Sequence, residues 1–379
     1  MEKSKNIYEI SYRIKQDKKL NFISFAITPW HALGVMGALE VLKKKGCHLE
    51  GMICICPHTT GGVLLDKSFF SSVESDKVEI FTFRGSENVS NKKMKQYLKT
   101  IPLRDGEDFF VISPLKPQYE IIEKISLVRK NDRITAVVID EGLATYMRDT
   151  KSWLQSQKRE EKKDIISLDE ILNKLLLEKY YLKYLNKYKL CMNQNIFIKN
   201  HKQELVMNRR AIYGYRSILK KMKSENQITN ANDYANAVVI NTQPYFEEGR
   251  FKSEIDLKVI ENACDFFQNQ NLSVILKVHP REDLLERYQN LPCKIDTSGG
   301  VPMELLLASL KVKPKYLVGF TTTTLVTAKL FFGIEGISLI NLVDSNEMEM
   351  ELKKEFHRFA HYFKEYIKIP NYLQELEQK

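Results

Sequence analysis

The chain lacks any long uninterrupted apolar run. None of its 379 residues lies in a stretch that approaches the roughly 20 apolar residues a membrane-spanning helix needs. The first residues, 1–6, lead into more polar sequence and not into the apolar core of a signal peptide. These absences argue against an integral membrane protein or a secreted one, and we expect a cytoplasmic location.

Cysteine is scarce and is not arranged for metal binding. The six cysteines show no metal-ligand spacing. Cys54 and Cys56 lie on one face of a predicted strand, but no second pair or histidine cluster completes a site. We therefore interpret the cysteines as buried apolar thiols, and we expect no metal. Internal repeats and low-complexity segments are also absent.

Positive charge, in contrast, is abundant and unevenly spread. The formal net charge is +10. Residues 151–225 hold 18 Lys and Arg against 8 Asp and Glu, an excess equal to that of the whole chain. A basic face of this kind attracts nucleic acid, anionic lipid or an acidic substrate.

Apolar runs of strand length alternate with amphipathic stretches of helix length in both halves of the chain. The predicted strands are 21–27, 52–56, 78–83, 108–112, 134–139, 237–241, 273–278, 316–320 and 336–342. The predicted helices include 32–45, 118–129, 254–268, 303–310 and 325–332. This order predicts the α/β class, with two parallel sheets covered by helices on both faces.

The basic segment 151–225 breaks this alternation with helical apolar spacing, so we predict a helical insertion there. The predicted N-terminal domain spans residues 1–235 and includes this insertion. The C-terminal domain spans 236–345. The tail 346–379 is predicted to be helical and to pack back on the N-terminal domain.

Three short polar motifs each follow a predicted strand. They are Asp140-Glu141-Gly142, His279-Pro280 and the run Thr321 to Thr324. In open α/β sheets, ligands bind beyond the carboxyl ends of the strands. Each motif is therefore placed where chemistry is normally done.

The two carboxylates and the histidine are candidates for acid–base chemistry. Gly142 permits a turn with positive φ, so that Asp140 and Glu141 can project from the strand end. The alternative for this pair is a surface turn or a helix cap. Proline disfavours helix at the preceding residue, so His279 should lie extended and able to donate to a phosphate. The alternative for His279 is a structural histidine with internal hydrogen bonds.

Other polar residues are placed to bind anions or sugars. The threonine run opens a predicted helix, whose free N–H groups and dipole favour a phosphate or carboxylate, although one threonine could simply cap the helix. Thr28 can cap a helix that begins near Pro29, while Trp30 and His31 could line a sugar site.

In this order and spacing, the motifs resemble those of bacterial sialyltransferases of the GT-B type. That family carries a D/E-D/E-G motif, an HP motif and an S-S/T motif in the same order. The segments Ile27-Thr-Pro-Trp30 and Pro302-Met-Glu304 are similar to the lipooligosaccharide sialyltransferase and polysialyltransferase branches, glycosyltransferase family 52. The resemblance spans about residues 27 to 325, nearly the whole predicted fold.

The resemblance implies a GT-B fold, with two Rossmann-like doubly wound domains facing each other across a cleft. It also implies an inverting transfer of sialic acid from CMP-sialic acid to a hydroxyl of a capsule or lipooligosaccharide glycan that ends in galactose. The transfer would need no metal or cofactor. By position, Asp140 would be the general base, with Glu141 as the alternative. His279 would assist departure of the CMP phosphate.

Further roles follow from the same resemblance. Thr322 and Thr323 would hold the phosphate or the donor carboxylate, with the register within Thr321 to Thr324 open by one residue. Glu304 would bind the cytidine ribose. Lys277 and Val278, beside Pro280, would face the cytosine through backbone groups.

Several alternatives remain open at this point. The enzyme could be a polysialyltransferase, or it could use another donor such as CMP-Kdo or a CDP-activated polyol. A distant alternative is a basic binding protein without enzyme activity, although no nucleic-acid motif appears and we expect no nucleic-acid partner. The insertion 151–225 could be a solvated subdomain, could contact an anionic membrane from the cytoplasmic side, or could guide a polyanionic glycan.

Overall fold

We describe the fold from a computed structural model of the chain. It describes residues 19–43, 48–55, 65, 67–71, 73, 78–82, 108–114, 133–140, 142, 186–189, 207–222, 231–297 and 301–377. The chain divides into two compact units between Ile218 and Leu219. This division falls earlier in the chain than the boundary that we expected from the sequence.

The first unit contains a six-stranded sheet in the order β3-β2-β1-β4-β5-β6. Its strands are β1 (Lys19–Ala26), β2 (His48–Ile55), β3 (Val78–Thr82), β4 (Asp108–Ser113), β5 (Arg133–Val138) and β6 (Asn186–Lys189). Every neighbouring pair is parallel; Ser24 of β1, for example, lies opposite Ile53 of β2 and Ile112 of β4. Apolar side chains such as Phe22, Ile23 and Val111 are fully buried, which explains why these strands appear as continuous apolar runs.

Two helices are described in this part of the chain, α1 (Pro29–Lys43) and α2 (Arg209–Met222), of which α2 belongs to this unit as far as Ile218. They pack closely at two glycines. A Cβ atom at Gly214 would lie 2.5 Å from the carbonyl oxygen of Gly37, so only glycine allows this approach. The contact joins helices that are far apart in the chain.

The basic insertion is not wholly helical. Its described residues include strand β6, which extends the sheet beside β5, as well as the whole of α2. The sequence of β6, Asn186-Lys-Tyr-Lys189, is short and polar and therefore has no apolar run to indicate a strand. The predicted helix 118–129 lies outside the described residues.

The second unit contains a five-stranded parallel sheet in the order β11-β10-β7-β8-β9. Its strands are β7 (Val238–Asn241), β8 (Val274–Lys277), β9 (Lys294–Asp296), β10 (Tyr316–Gly319) and β11 (Glu335–Ser338). Its helices are α3 (Ile255–Gln268), α4 (Met303–Ser309), α5 (Thr323–Thr327) and α6 (Met350–Phe363). A π-helical turn, Ala328–Phe332, continues α5 and ends at Gly333, whose φ of 74° gives the expected left-handed cap.

Short 3-10 turns complete both units, at Lys67–Phe70, Ala231–Tyr234, Leu285–Tyr288, Ile340–Leu342, Ser345–Glu347 and Leu373–Leu376. The C-terminal helix α6 contacts the core of the second unit, where Phe356 stacks on Phe320 at 6.2 Å between ring centres. The predicted packing of the tail on the N-terminal domain stays a prediction.

No helix among the described residues is both long enough and apolar enough to cross a membrane. Their His, Cys, Asp and Glu side chains also form no group of three or more that could hold a metal ion.

Candidate active site

The polar residues predicted from the first unit follow strands β1 and β5. The strand order changes direction between β1 and β4, and ligands of open α/β sheets bind beyond the carboxyl ends at such a point. Thr28 to His31 follow β1, and Asp140 follows β5 one strand beyond β4. This sheet edge is therefore the candidate site of the first unit.

The beginning of α1 is organised as the sequence predicts. Pro29 is its first residue, and the Thr28 hydroxyl oxygen accepts the backbone N–H of His31 at 3.3 Å. His31 is buried, whereas Trp30 is half-buried. Binding of a sugar by these residues stays a prediction.

Asp140 is completely buried beneath this edge, with 0% of its surface exposed. The hydroxyl of Tyr215, from α2, donates a hydrogen bond to its Oδ2 at 3.1 Å. Tyr215 in turn stacks on Trp30, with ring centres 4.8 Å apart and planes 8° apart. The structure thus joins Asp140 to the Thr28–His31 segment through a residue that sequence reasoning missed.

The turn after Asp140 has the predicted geometry. Gly142 has a φ of 96°, which L side chains rarely adopt. Glu141 lies outside the described residues, so the choice between Asp140 and Glu141 as base stays open.

The predicted residues of the second unit follow strands β7, β8 and β10. The strand order changes direction between β7 and β10, so the expected ligand position is beyond these strands. Thr242 and Gln243 follow β7, His279 follows β8 and Thr321 follows β10. This sheet edge is the candidate site of the second unit.

Two hydrogen bonds fix the backbone of His279. Its backbone N–H donates to the Thr242 hydroxyl oxygen at 2.8 Å and to Oε2 of Glu282 at 3.0 Å. Glu282 is buried and also accepts hydrogen bonds from the hydroxyls of Tyr288, at 2.6 Å, and Thr242. Burial raises the pKa of Glu282.

The imidazole ring of His279 has a defined proton position. The backbone N–H of Arg281 donates to Nδ1 at 3.2 Å, so Nδ1 is an acceptor and the ring proton lies on Nε2. Burial, with a smaller contribution from the positive charge of Arg281, lowers the pKa of His279 to about 4. His279 is therefore neutral near pH 7 and offers an Nε2–H donor.

The four threonines that follow β10 are not equivalent. Thr321 is buried. Its backbone N–H donates to Oε1 of Gln243 at 2.8 Å, and its hydroxyl forms a hydrogen bond with the hydroxyl of Tyr245. Thr322 caps α5 by accepting the N–H of Thr324 at 3.4 Å. Thr322, Thr323 and Thr324 are half-buried, whereas Thr321 is held inside the unit.

Glu304 is the first-turn acid of α4, and it is buried. Its Oε1 accepts a hydrogen bond from the hydroxyl of Thr327 at 2.8 Å, which ties α4 to α5. Burial raises the pKa of this carboxyl. Its predicted contact with a ribose stays a prediction.

Lys277 and Val278 are integrated into the sheet. The Lys277 carbonyl accepts the N–H of Thr242 at 3.2 Å, and the N–H of Val278 donates to the Asp296 carbonyl at 2.9 Å. The Lys277 ammonium lies 3.3 Å from Oδ2 of Asp296. The Lys277 carbonyl and the Val278 N–H thus already have hydrogen-bond partners within the protein. The nearby Pro280 is exposed.

Sequence reasoning missed four residues of these two edges. Thr242 and Gln243 directly follow a predicted strand, and this position was a signal that could have identified them. Glu282 lies three residues after His279 and carries no signal of its own. Tyr215 is 75 positions from Asp140, and no local pattern indicates their contact.

Comparisons with known proteins support a glycosyltransferase. The family model described as Alpha-2,8-polysialyltransferase (POLYST) matches residues 67–341. A search of curated protein sequences finds no significant match.

Solved structures show the fold. A UDP-N-acetylglucosamine 2-epimerase is 11% identical to this chain and has a TM-score of 0.50. The aligned region covers 85% of this chain and 79% of the epimerase chain. The S. aureus MnaA–UDP structure is 11% identical over 93% of both chains, with a TM-score of 0.49. A glycosyl transferase family 9 protein from Veillonella parvula is 14% identical over 86% of this chain and 81% of that chain, with a TM-score of 0.41. Two parallel-sheet α/β units and the likeness to the epimerase confirm the predicted class and are consistent with a GT-B fold.

Proposed function

The chain belongs to the alpha-2,8-polysialyltransferase family, and from this premise we propose that it transfers sialic acid from CMP-sialic acid to a hydroxyl of a surface glycan. The reaction would invert the configuration at the anomeric carbon and would need no metal. The observation that carries the proposal is the neutral Nε2–H donor of His279 at the carboxyl end of β8.

This donor suits the chemistry of the leaving group. When the bond between sialic acid and CMP breaks, negative charge develops on the phosphate, and a preorganised donor stabilises it. A neutral imidazole donates the Nε2–H hydrogen bond without having to be protonated first. Thr322, Thr323 and Thr324, half-buried at the start of α5, would add donors to the phosphate or to the carboxylate of sialic acid.

The acceptor hydroxyl needs a base. We assign this role to Asp140, whose carboxylate lies at the candidate edge of the first unit, and keep Glu141 as the alternative. Asp140→Asn should then lower kcat by roughly 100-fold or more with the fold intact. Near-normal turnover by a folded Asp140→Asn variant, with loss of turnover in Glu141→Gln, would move the role to Glu141.

The family description favours an acceptor that itself ends in sialic acid, and a polymeric product would follow from repeated transfer. A capsule or lipooligosaccharide acceptor ending in galactose is the other proposal, and it predicts a single addition. For the location, we propose the cytoplasm, with the basic segment 151–225 in contact with the anionic inner face of the membrane.

The donor is tested by thermal shift and CMP release in EDTA. CMP and CDP should raise the melting temperature, and CMP-sialic acid should release CMP slowly in the absence of an acceptor. Stabilisation by uridine nucleotides alone would exclude this donor. CMP-Kdo run beside CMP-sialic acid distinguishes the two sugars. Oligosialic acid and a galactose-terminated glycan then separate the acceptors by the length of the product.

A further inference from the structure

The Trp30–Tyr215–Asp140 contact chain explains two features that the proposed function leaves unused. One is the segment around Trp30 and the other is helix α2, which comes from the basic part of the chain. We propose that Tyr215 is a positioning residue for Asp140, orienting its carboxylate and favouring its ionised form during transfer. This inference rests on the proposed function, in which Asp140 is the base.

The geometry of the pair is specific. The Tyr215 hydroxyl lies 3.1 Å from Oδ2 of Asp140, and both residues are buried. A phenol that donates to a buried carboxylate makes a charge-assisted hydrogen bond, stronger than one between neutral groups. Such a bond stabilises the charged form of the acid, which is the form a general base requires.

The surroundings leave the Tyr215 ring little freedom. Trp30 covers one face at 4.8 Å between ring centres. A Cβ atom at Gly34 would lie 3.0 Å from the Tyr215 hydroxyl, so this glycine of α1 leaves room for it. The close contact of Gly214 with Gly37 sets the position of the neighbouring residue on α2. The two helices α1 and α2 therefore direct one hydroxyl to one carboxylate.

The arrangement assigns Trp30 a different task from the sugar contact predicted from the sequence. Its indole ring supports the Tyr215 ring by stacking, so Trp30 acts on Asp140 through Tyr215. We expect Trp30→Leu to reproduce part of the effect of a change at Tyr215, because the tyrosine ring loses its support.

The test compares Tyr215→Phe with Tyr213→Phe. The first variant keeps the stacked ring and removes the hydroxyl, and the second removes the hydroxyl of an exposed tyrosine on the same helix. Tyr215→Phe should lower kcat by about 10- to 100-fold with an unchanged KM for CMP-sialic acid. The acidic limb of its pH–rate profile should move up by about one pH unit, since the carboxylate loses a donor. Tyr213→Phe should match the wild type.

A merely structural role is separated by a double-mutant cycle with Asp140→Asn. Tyr215→Phe should have little further effect on kcat when Asp140 is already Asn, because the two residues act as a unit. An active Tyr215→Phe variant with an unshifted pH profile would overturn this inference while leaving the proposed function intact. A folded wild type that releases no CMP from CMP-sialic acid would overturn the proposed function, and with it the catalytic role of the pair. In that case, a coupling between Tyr215→Phe and Asp140→Asn in the free energy of unfolding, measured with urea, would show only a structural contact between the two residues.

Discussion

Oε2 of Glu282 lies 3.0 Å from the backbone nitrogen of His279, three residues before it. The same nitrogen lies 2.8 Å from the hydroxyl oxygen of Thr242. The orientation of the imidazole therefore depends on a buried carboxylate and a hydroxyl that need not touch the substrate.

Replacement of Glu282 by Gln should lower kcat and leave KM for the donor nearly unchanged. The carboxylate accepts from Tyr288, Thr242 and the His279 N–H, and an amide presents a donor where one of these needs an acceptor. We expect a loss in kcat of roughly 10-fold and a loss in the free energy of unfolding of about 1 to 3 kcal/mol. Steady-state kinetics and urea unfolding measure the two effects.

Tyr288→Phe provides the matched control, since it removes one hydrogen bond to Glu282 and leaves the His279 N–H in place. It should lower the free energy of unfolding with a smaller change in kcat. Equal losses of kcat in the two variants would contradict a specific effect on His279.

The low pKa of His279 predicts how stability varies with pH. The folded state holds this group with a pKa of about 4, below the ordinary value of 6.5. Protons therefore bind the unfolded chain more tightly, so the contribution of His279 to stability is present above about pH 6.5 and is lost as the pH falls towards 4. Relative to His279→Gln, the wild type should lose on the order of 1 to 3 kcal/mol over this range.

Urea unfolding of wild type and His279→Gln at pH 7.5, 6, 5 and 4 measures this difference directly. A wild type that gains stability relative to the variant on acidification would show that His279 is protonated in the folded state. The neutral-donor mechanism would then be wrong.

The threonine run should separate into one structural residue and a binding group. Thr321→Val removes one of the two hydrogen-bond partners of the Tyr245 hydroxyl, the other being Glu355, and should lower the free energy of unfolding by about 1 to 3 kcal/mol, while CMP still stabilises the variant. Thr323→Val keeps the volume of a half-buried side chain and should raise KM for CMP-sialic acid by roughly 10-fold with little loss of stability. Thermal shift with and without CMP compares them. Normal donor affinity in Thr323→Val would remove that hydroxyl from the site.

Gly214→Ala should destabilise the first unit although alanine favours helix. The new Cβ atom would lie 2.5 Å from the Gly37 carbonyl, so the backbones of α1 and α2 must separate. We expect a loss of about 1 to 3 kcal/mol in the free energy of unfolding. Replacement of the exposed Lys220 on the same helix by Ala should change it by less than about 0.5 kcal/mol. An unchanged stability in Gly214→Ala would show that the two helices can move apart without cost.

Most strands were predictable because buried parallel strands are apolar throughout. Strands β1, β5 and β7 stand out as short apolar runs, and each ends within a residue or two of its predicted position. Strands β6 and β9 were missed. Both lie at sheet edges, where partial exposure permits polar sequences such as Lys294-Ile-Asp296 that carry no apolar pattern.

The motifs themselves were predictable for a related reason. Asp140, His279 and Thr321 each follow a recognisable strand, and the carboxyl end of a parallel strand is defined by local sequence. Sequence patterns also predicted the cap at Thr28 and the positive φ of Gly142, since both depend on neighbours in the chain.

The sequence by itself determined the α/β class, the strand ends that carry polar residues and the family resemblance. Tertiary structure alone decided that Tyr215 reaches Asp140, that Thr321 is buried while Thr323 is half-exposed, and that the Thr242 hydroxyl accepts the backbone N–H of His279. The physical reason is the separation along the chain of the residues that interact. Periodicity and capping act between neighbours in the chain, whereas these contacts depend on how whole elements pack, as α1 and α2 do where Gly37 meets Gly214.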